Sequence, residues 1–331
     1  VEHTVQKATV LGIVLVLIFG LAPLAVGAPS ELRYVVIITI DGCRPDKLQE
    51  ANTPNIDALI AQGAAYSWSA QTVYPSKTPQ AHASLFTGAK PETHGFYSPG
   101  DDLKAETIFQ VFENLGMRTL LFDSKGGRIN GLQADVAVVR NTKDYRWIGP
   151  SWQRGSEDPE ANLRVMEDAL EDFMEGWITL MFVLLPQTDT MGHLYGHTSE
   201  QYLKAIETAD QAIGMLVDNL RARGWLDETL IVITADHGMT GTDHGTDDPG
   251  DMTIPLIFFG PNVPPGEFGN GEIIDVAPTI SALFGVRPPA DSEGRILFEG
   301  REPAGEIPTV AVAGVTVAAA IIIVIALRRR L

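Results

Sequence analysis

Residues 34–40 read Tyr-Val-Val-Ile-Ile-Thr-Ile, an apolar, β-branched run that ends on Asp41-Gly42. A strand with so little polar alternation has to be covered on both faces, which places it inside a mostly parallel sheet. Similar runs recur at 119–122, 178–185, 230–234 and 254–259, and they too read as buried parallel strands. Helical patterns at 53–62, 105–115, 159–174, 199–222 and 274–284 separate them. This alternation predicts an α/β fold, a doubly wound, mostly parallel sheet flanked by helices, in one domain spanning 31–304. Residues 261–271, rich in glycine and proline, read as a loop.

Both ends of the 331-residue chain are apolar. Residues 8–30 carry no charge, follow Lys7 and close on the small residues Ala25, Gly27 and Ala28. Segment 1–30 therefore reads as a signal peptide or an uncleaved membrane anchor. Residues 307–327 form a second uncharged run, followed at once by Arg328, Arg329 and Arg330. Positive charge beside a span stays cytoplasmic, so 305–331 is expected to be a transmembrane anchor. The domain before it is then expected at the cell membrane, on the extracytoplasmic side.

The chain has 42 Asp+Glu against 24 Lys+Arg, a net charge of −18, the wrong sign for binding a nucleic-acid polymer. Cys43 is the sole cysteine, which excludes a disulfide framework and any multi-cysteine zinc site. The remaining acids and histidines fall where chemistry is expected. In a parallel α/β sheet the ligand site lies beyond the carboxyl ends of the strands. Asp41 follows the first run, Asp189 and His193 the run ending at 185, and Asp236-His237 the run ending at 234, with His244 seven residues on. Gly192 in the 189–193 segment is expected to permit a tight loop. Three carboxylates and three imidazoles suit a pair of zinc-like divalent ions.

A nucleophile is expected in Tyr74-Pro-Ser-Lys-Thr-Pro-Gln-Ala-His-Ala-Ser-Leu-Phe-Thr-Gly88, where Thr78 leads into a helix ending at Gly88. A hydroxyl at a helix N-terminus sits where backbone N–H groups favour an anion. Thr78 could equally be a helix cap, and Ser76 is its local rival. Lys125, in Asp123-Ser-Lys-Gly-Gly-Arg128, could offer a cation to phosphoryl oxygens or be a solvated loop residue.

Together with Thr53-Pro-Asn-Ile-Asp57, His94-Gly95 and Asp275-Val-Ala-Pro-Thr-Ile280, these motifs resemble the alkaline phosphatase superfamily over about residues 34–286. The resemblance is to its type I phosphodiesterase/nucleotide pyrophosphatase branch. It implies one metal held by Asp41, Asp236 and His237 with Thr78 bridging, and a second held by Asp189 and His193. The third ligand of the second metal is His244 or His197. The branch usually takes that histidine much farther down the chain, and the short spacing from His237 to His244 is similar to phosphoethanolamine transferases of glycolipid-anchor synthesis. His197 is otherwise a candidate substrate contact.

The implied reaction is hydrolysis of a phosphate ester through a phosphothreonine formed on Thr78. A phosphoethanolamine-type transferase and a catalytically inactive, membrane-anchored binding protein are the alternatives. The branch's asparagine after His-Gly, which contacts the phosphoryl group, is missing from Phe96-Tyr-Ser-Pro99. Threonine at 78 and histidine at 82 speak against a sulfatase. No arginine but Arg44 lies near the nucleophile motif in sequence, and Tyr74, Phe96, Tyr97 and Tyr195 are available to line a pocket. Diesters, or activated aryl and nucleotide esters, are therefore expected to be preferred to simple monoesters.

Overall fold

The structure is a computed structural model, and it describes residues 32–129, 131–132, 134, 136–139, 160–175 and 177–298. The segments expected to be a signal peptide or anchor (1–30) and a transmembrane anchor (305–331) lie outside these residues. Among the described residues no helix is long and apolar enough to cross a membrane.

In chain order the elements are β1 (Tyr34–Ile40), α1 (Pro45–Glu50), α2 (Pro54–Ala61), β2 (Ala65–Gln71), α3 (Thr78–Thr87), α4 (Pro91–His94), α5 (Ile108–Glu113), β3 (Arg118–Asp123) and β4 (Val136–Val139). Then follow α6 (Ala161–Glu175), β5 (Ile178–Leu185), α7 (Gln187–Tyr195), α8 (Glu200–Ala222), β6 (Thr229–Thr234), α9 (Pro249–Met252), β7 (Thr253–Phe259), β8 (Gly266–Glu267) and α10 (Val276–Phe284).

The strands form one eight-stranded sheet in the order β4-β3-β5-β1-β6-β7-β2-β8, flanked by helices. The first five strands of that order are mutually parallel. β1 sits among them, with Val35 opposite Leu180 of β5 and Leu230 of β6. Val35, Val36, Ile37, Ile38 and Ile40 are all fully buried, as an interior strand requires. Each such side chain contributes roughly 1.5–3 kcal/mol.

One expected orientation is corrected. Residues 254–259 belong to β7, which runs antiparallel to both β6 and β2. Its buried, apolar pattern could not reveal this, because burial on both faces does not specify strand direction. The structure also adds β2, β4 and α1, which the apolar patterning did not single out. β2 reads Ala-Tyr-Ser-Trp-Ser-Ala-Gln, an alternating, half-exposed strand near the sheet edge. The helix expected over 105–115 shortens to α5, started by a capping box between Thr107 and Gln110.

Candidate active site and metal centre

Four neighbouring parallel strands deliver four charged groups to one end of the sheet. Going along β3, β5, β1 and β6, the residues just past the carboxyl ends are Lys125, Asp189, Asp41 and Asp236. All four are buried.

The local devices that place them are specific. Gly42 takes a left-handed φ of 67°, and a Cβ there would stand 3.1 Å from Asp189 Cα and Cβ. Glycine thus lets the Asp41 turn lie directly against Asp189. The Gly42 N–H donates to Asp236 Oδ1 at 3.1 Å, tying the third carboxylate to the same turn. Asp123 shapes the next loop by accepting from the N–H groups of Lys125 (2.8 Å), Gly127 (3.0 Å) and Ile129 (3.3 Å). Lys125 is consequently drawn inward and is not a solvated loop residue.

Asp189 and His193 do not sit in a glycine-permitted loop, as the sequence suggested. They lie one turn apart on α7, so their side chains share a face. Gly192 serves packing instead, because a Cβ there would overlap the Met239 sulfur.

Thr78 is the first residue of α3 and not its cap. Lys77 holds the cap position without any side-chain capping bond. Thr78 Oγ1 stands 3.5 Å from His237 Nε2 and 3.5 Å from Lys125 Nζ. Ser76, its rival, donates to the Thr246 carbonyl at 2.8 Å and accepts from Gly245 N–H at 3.1 Å. That hydroxyl is committed to the loop carrying His244. His82 donates from Nδ1 to the Thr78 carbonyl at 2.8 Å and accepts from the Thr39 hydroxyl at 3.0 Å, fixing the start of α3 from below.

The imidazoles share one arrangement. His237 Nδ1 lies 2.8 Å from the Gly238 carbonyl, His193 Nδ1 2.8 Å from Thr242 O, and His244 Nδ1 2.9 Å from Ser76 O. A carbonyl can only accept, so each ring carries its proton on Nδ1. Each therefore turns Nε2 toward the carboxylates, the arrangement that orients a metal-ligating histidine. The Nε2 atoms of His193 and His244 stand 3.3 and 3.4 Å from Asp189 Oδ1, and that of His237 stands 3.3 Å from Asp236 Oδ2 and 3.6 Å from Asp41 Oδ1.

The carboxylates are short of partners. Asp41 Oδ1, Asp189 Oδ1 and Asp236 Oδ2 are buried with no hydrogen-bond donor. Lys125 Nζ bridges Asp41 Oδ2 and Asp189 Oδ2 at 2.7 Å each. One ammonium against three buried carboxylates leaves a surplus of negative charge, which is costly in a low-dielectric interior. Burial, reinforced by Asp236, pushes the Asp41 carboxyl well above its ordinary range. Burial would also raise Asp189, but Lys125 and then His193 outweigh it and hold that carboxyl well below the usual value. Burial and then His237 push His244 down to about 4, keeping it neutral. Buried carboxylate oxygens facing imidazole Nε2 atoms fit divalent cations. Among the described residues, Asp189, His193 and His244 cluster tightly enough for one ion, and Asp41, Asp189 and His237 for another, with Asp236 beside them.

A cavity of about 650 Å³ opens onto this cluster, lined in part by Thr78, Gln80, Tyr97, Lys125, Arg128 and His193. The sequence offered no arginine near the nucleophile motif but Arg44, and Arg128 is one that the structure adds. The loop after β3 brings it to the cavity wall, while Arg44 is engaged with Asp46 and the Met239 carbonyl. The aromatic expectations divide. Tyr97 lines the cavity, Phe96 is wholly buried in the core, and Tyr74 and Tyr195 are exposed outside the lining. His197 is neither in a metal cluster nor on the cavity wall, since its Nδ1 accepts from Gly241 N–H at 3.0 Å.

The profile of the type I phosphodiesterase / nucleotide pyrophosphatase family matches residues 35–111 and 130–253. The chain belongs to this family. Its similarity to human ectonucleotide pyrophosphatase/phosphodiesterase family member 7 is 25% identity over 278 residues, covering 73% of this chain and 58% of that protein. With venom phosphodiesterase 2 of Crotalus adamanteus it shares 26% over 230 residues, 64% of this chain and 27% of the other. The chain thus spans little more than half the length of one family relative and about a quarter of the other.

Solved structures with the same fold include the murine ectonucleotide pyrophosphatase / phosphodiesterase 5 as an inactive variant in complex with AMP. Its TM-score is 0.63 at 15% identity, covering 77% of this chain and 96% of that one. The wild-type alkaline phosphatase PafA gives 0.65 at 13% identity, covering 82% and 99%.

Proposed function

We propose that this family member hydrolyses phosphate esters, with phosphodiesters and nucleotide-type esters as its substrate class and Thr78 as its nucleophile. The observation that carries the reading is the set of three imidazoles whose Nε2 atoms meet buried carboxylate oxygens beside an uncapped helix N-terminus bearing Thr78. Asp189, His193 and His244 would hold one divalent ion, and Asp41, Asp236, His237 and Thr78 the other, zinc being the ion such donors suit best. Bound there, two divalent ions lower the pKa of a hydroxyl and neutralise charge on the phosphoryl group.

The chain's own groups account for the rest. The Thr78 hydroxyl gives up its proton as Oγ bonds to phosphorus and the bond to the leaving oxygen breaks, and the departing oxyanion takes up a proton, giving a phosphothreonine and a free alcohol. Water then cleaves the phosphothreonine, restoring the hydroxyl and releasing the phosphate product. The N-terminus of α3 faces the phosphoryl oxygens with its free N–H groups. Lys125 supplies a buried positive charge 3.5 Å from the nucleophile. The cavity beside Thr78 has room for the second substituent of a diester.

The test compares kcat/KM for a bis-aryl phosphodiester with that for the matching aryl monoester. A diester advantage is expected. Lys125 and Arg128 are the groups that could reverse it, since a monoester dianion gains more from added cations. A monoester advantage of about tenfold or more, some 1.4 kcal/mol in transition-state binding, would exclude the diester class.

The proposed setting is the outer side of a membrane, supported by the apolar runs at 8–30 and 307–327 and by Arg328, Arg329 and Arg330. Externally added protease should digest the domain on intact cells. Protection until the cells are lysed would refute that setting.

A further inference from the structure

Gln80 stands two residues after Thr78, in the first turn of α3, and forms part of the cavity wall. It is only 4% exposed, and its Oε1 is buried with no hydrogen-bond donor among the described residues. A buried carboxamide left unpaired costs free energy, so the fold gains nothing from it there. A leucine or methionine would fill the space more stably. The position matters as much as the burial. As the third residue of an uncapped helix, Gln80 has a backbone N–H with no partner inside the helix, and Pro79 before it has no N–H at all. The helix end is thus one donor short just where Thr78 must meet phosphorus. The cavity lining also includes Tyr97, Ser98 and Pro99, and among the described residues no side-chain amide other than Gln80.

We propose that the Gln80 side chain is a phosphoryl-binding group, its Nε2 donating to a non-bridging oxygen of the ester while Thr78 attacks. The assignment rests on the phosphoesterase reading and names a substrate contact within it. Oε1 is buried, so the substrate contact is assigned to Nε2. Phosphate oxygens are acceptors only, so the contact has to be made by the donor. Gln80 then makes up for the amide N–H that Pro79 lacks.

Three forms of the full chain, loaded with zinc, separate this role from others: wild type, Gln80→Met and Gln80→Glu. Methionine keeps the shape and removes the donor. Glutamate keeps an acceptor, removes the donor and adds a negative charge. Calorimetric binding of inorganic phosphate and kcat/KM for a bis-aryl phosphodiester are both read, alongside zinc content and thermal melting. Both quantities should fall by about 10- to 100-fold in Gln80→Met, and further in Gln80→Glu. Zinc content should not change, and Gln80→Met should melt no lower than wild type because an unpaired buried amide has been removed.

Phosphate affinity within twofold of wild type in Gln80→Met overturns the assignment. So does a Gln80→Glu chain that matches wild type, which would make the residue an acceptor for some other part of the substrate. A fall in melting temperature that tracks the lost activity would reduce Gln80 to a structural role and equally overturns it. If wild type turns over no ester, the phosphoesterase reading fails by itself, and phosphate affinity still decides for or against Gln80. A wild-type chain that binds no phosphate counts against it.

Discussion

Thr78→Ala should lower ester turnover by roughly 10³-fold or more while the protein stays folded and keeps its metal. Thr78 Oγ1 makes only long contacts, 3.5 Å to His237 and 3.5 Å to Lys125, so its loss should cost about 1 kcal/mol of stability or less. Ser76→Ala should behave differently. Its hydroxyl holds Thr246 and Gly245, and its carbonyl fixes the His244 ring. Loosening that support should weaken metal binding by about tenfold, a defect that added zinc repairs. Thr78→Ala should not respond to zinc. Rate measurements across a zinc titration distinguish the two, and a dead, zinc-insensitive Ser76→Ala beside an active Thr78→Ala would put the nucleophile at the wrong residue.

Stripping the metal should have an effect of similar size. Chelation is expected to abolish turnover, by at least about 10²-fold, and readdition of zinc to restore it. It should also lower the melting temperature, because, of the three buried carboxylates, only Asp41 and Asp189 have an ammonium partner, Lys125, among the described residues. Elemental analysis of the active, unchelated protein should find two ions per chain. One ion, or none, would sink the two-metal arrangement.

Much of this was legible in the sequence, for a physical reason. Buried parallel strands must be apolar throughout, so the first polar residue after each run marks the end of the sheet where a ligand site forms. Asp41 and Asp236 could be located that way. The direction of β7 could not, because an apolar strand looks the same read either way. The α7 helix was hidden by Gly192, whose usual meaning is a turn but which here admits Met239. Lys125 was ambiguous because its burial depends on Asp123 gathering three backbone N–H groups, a contact invisible to pattern. Arg128 was missed for the same reason. Gln80 looked like an ordinary helix residue, and only the missing partner on Oε1 sets it apart.

The position of β1 has a consequence for how the chain comes to be folded. It is made first among the described strands, yet its neighbours in the sheet are β5 and β6, and Val35 meets its partners only at Leu180 and Leu230. During synthesis this apolar strand waits, unpaired along both edges, until most of the domain has been made. Folds ruled by such distant pairings are slow to form, and their exposed strand edges invite association with other chains. Refolding from denaturant should therefore be sluggish and sensitive to protein concentration. Metal capture should come last, since its ligands run from Asp41 to His244 and meet only once the parallel strands have closed.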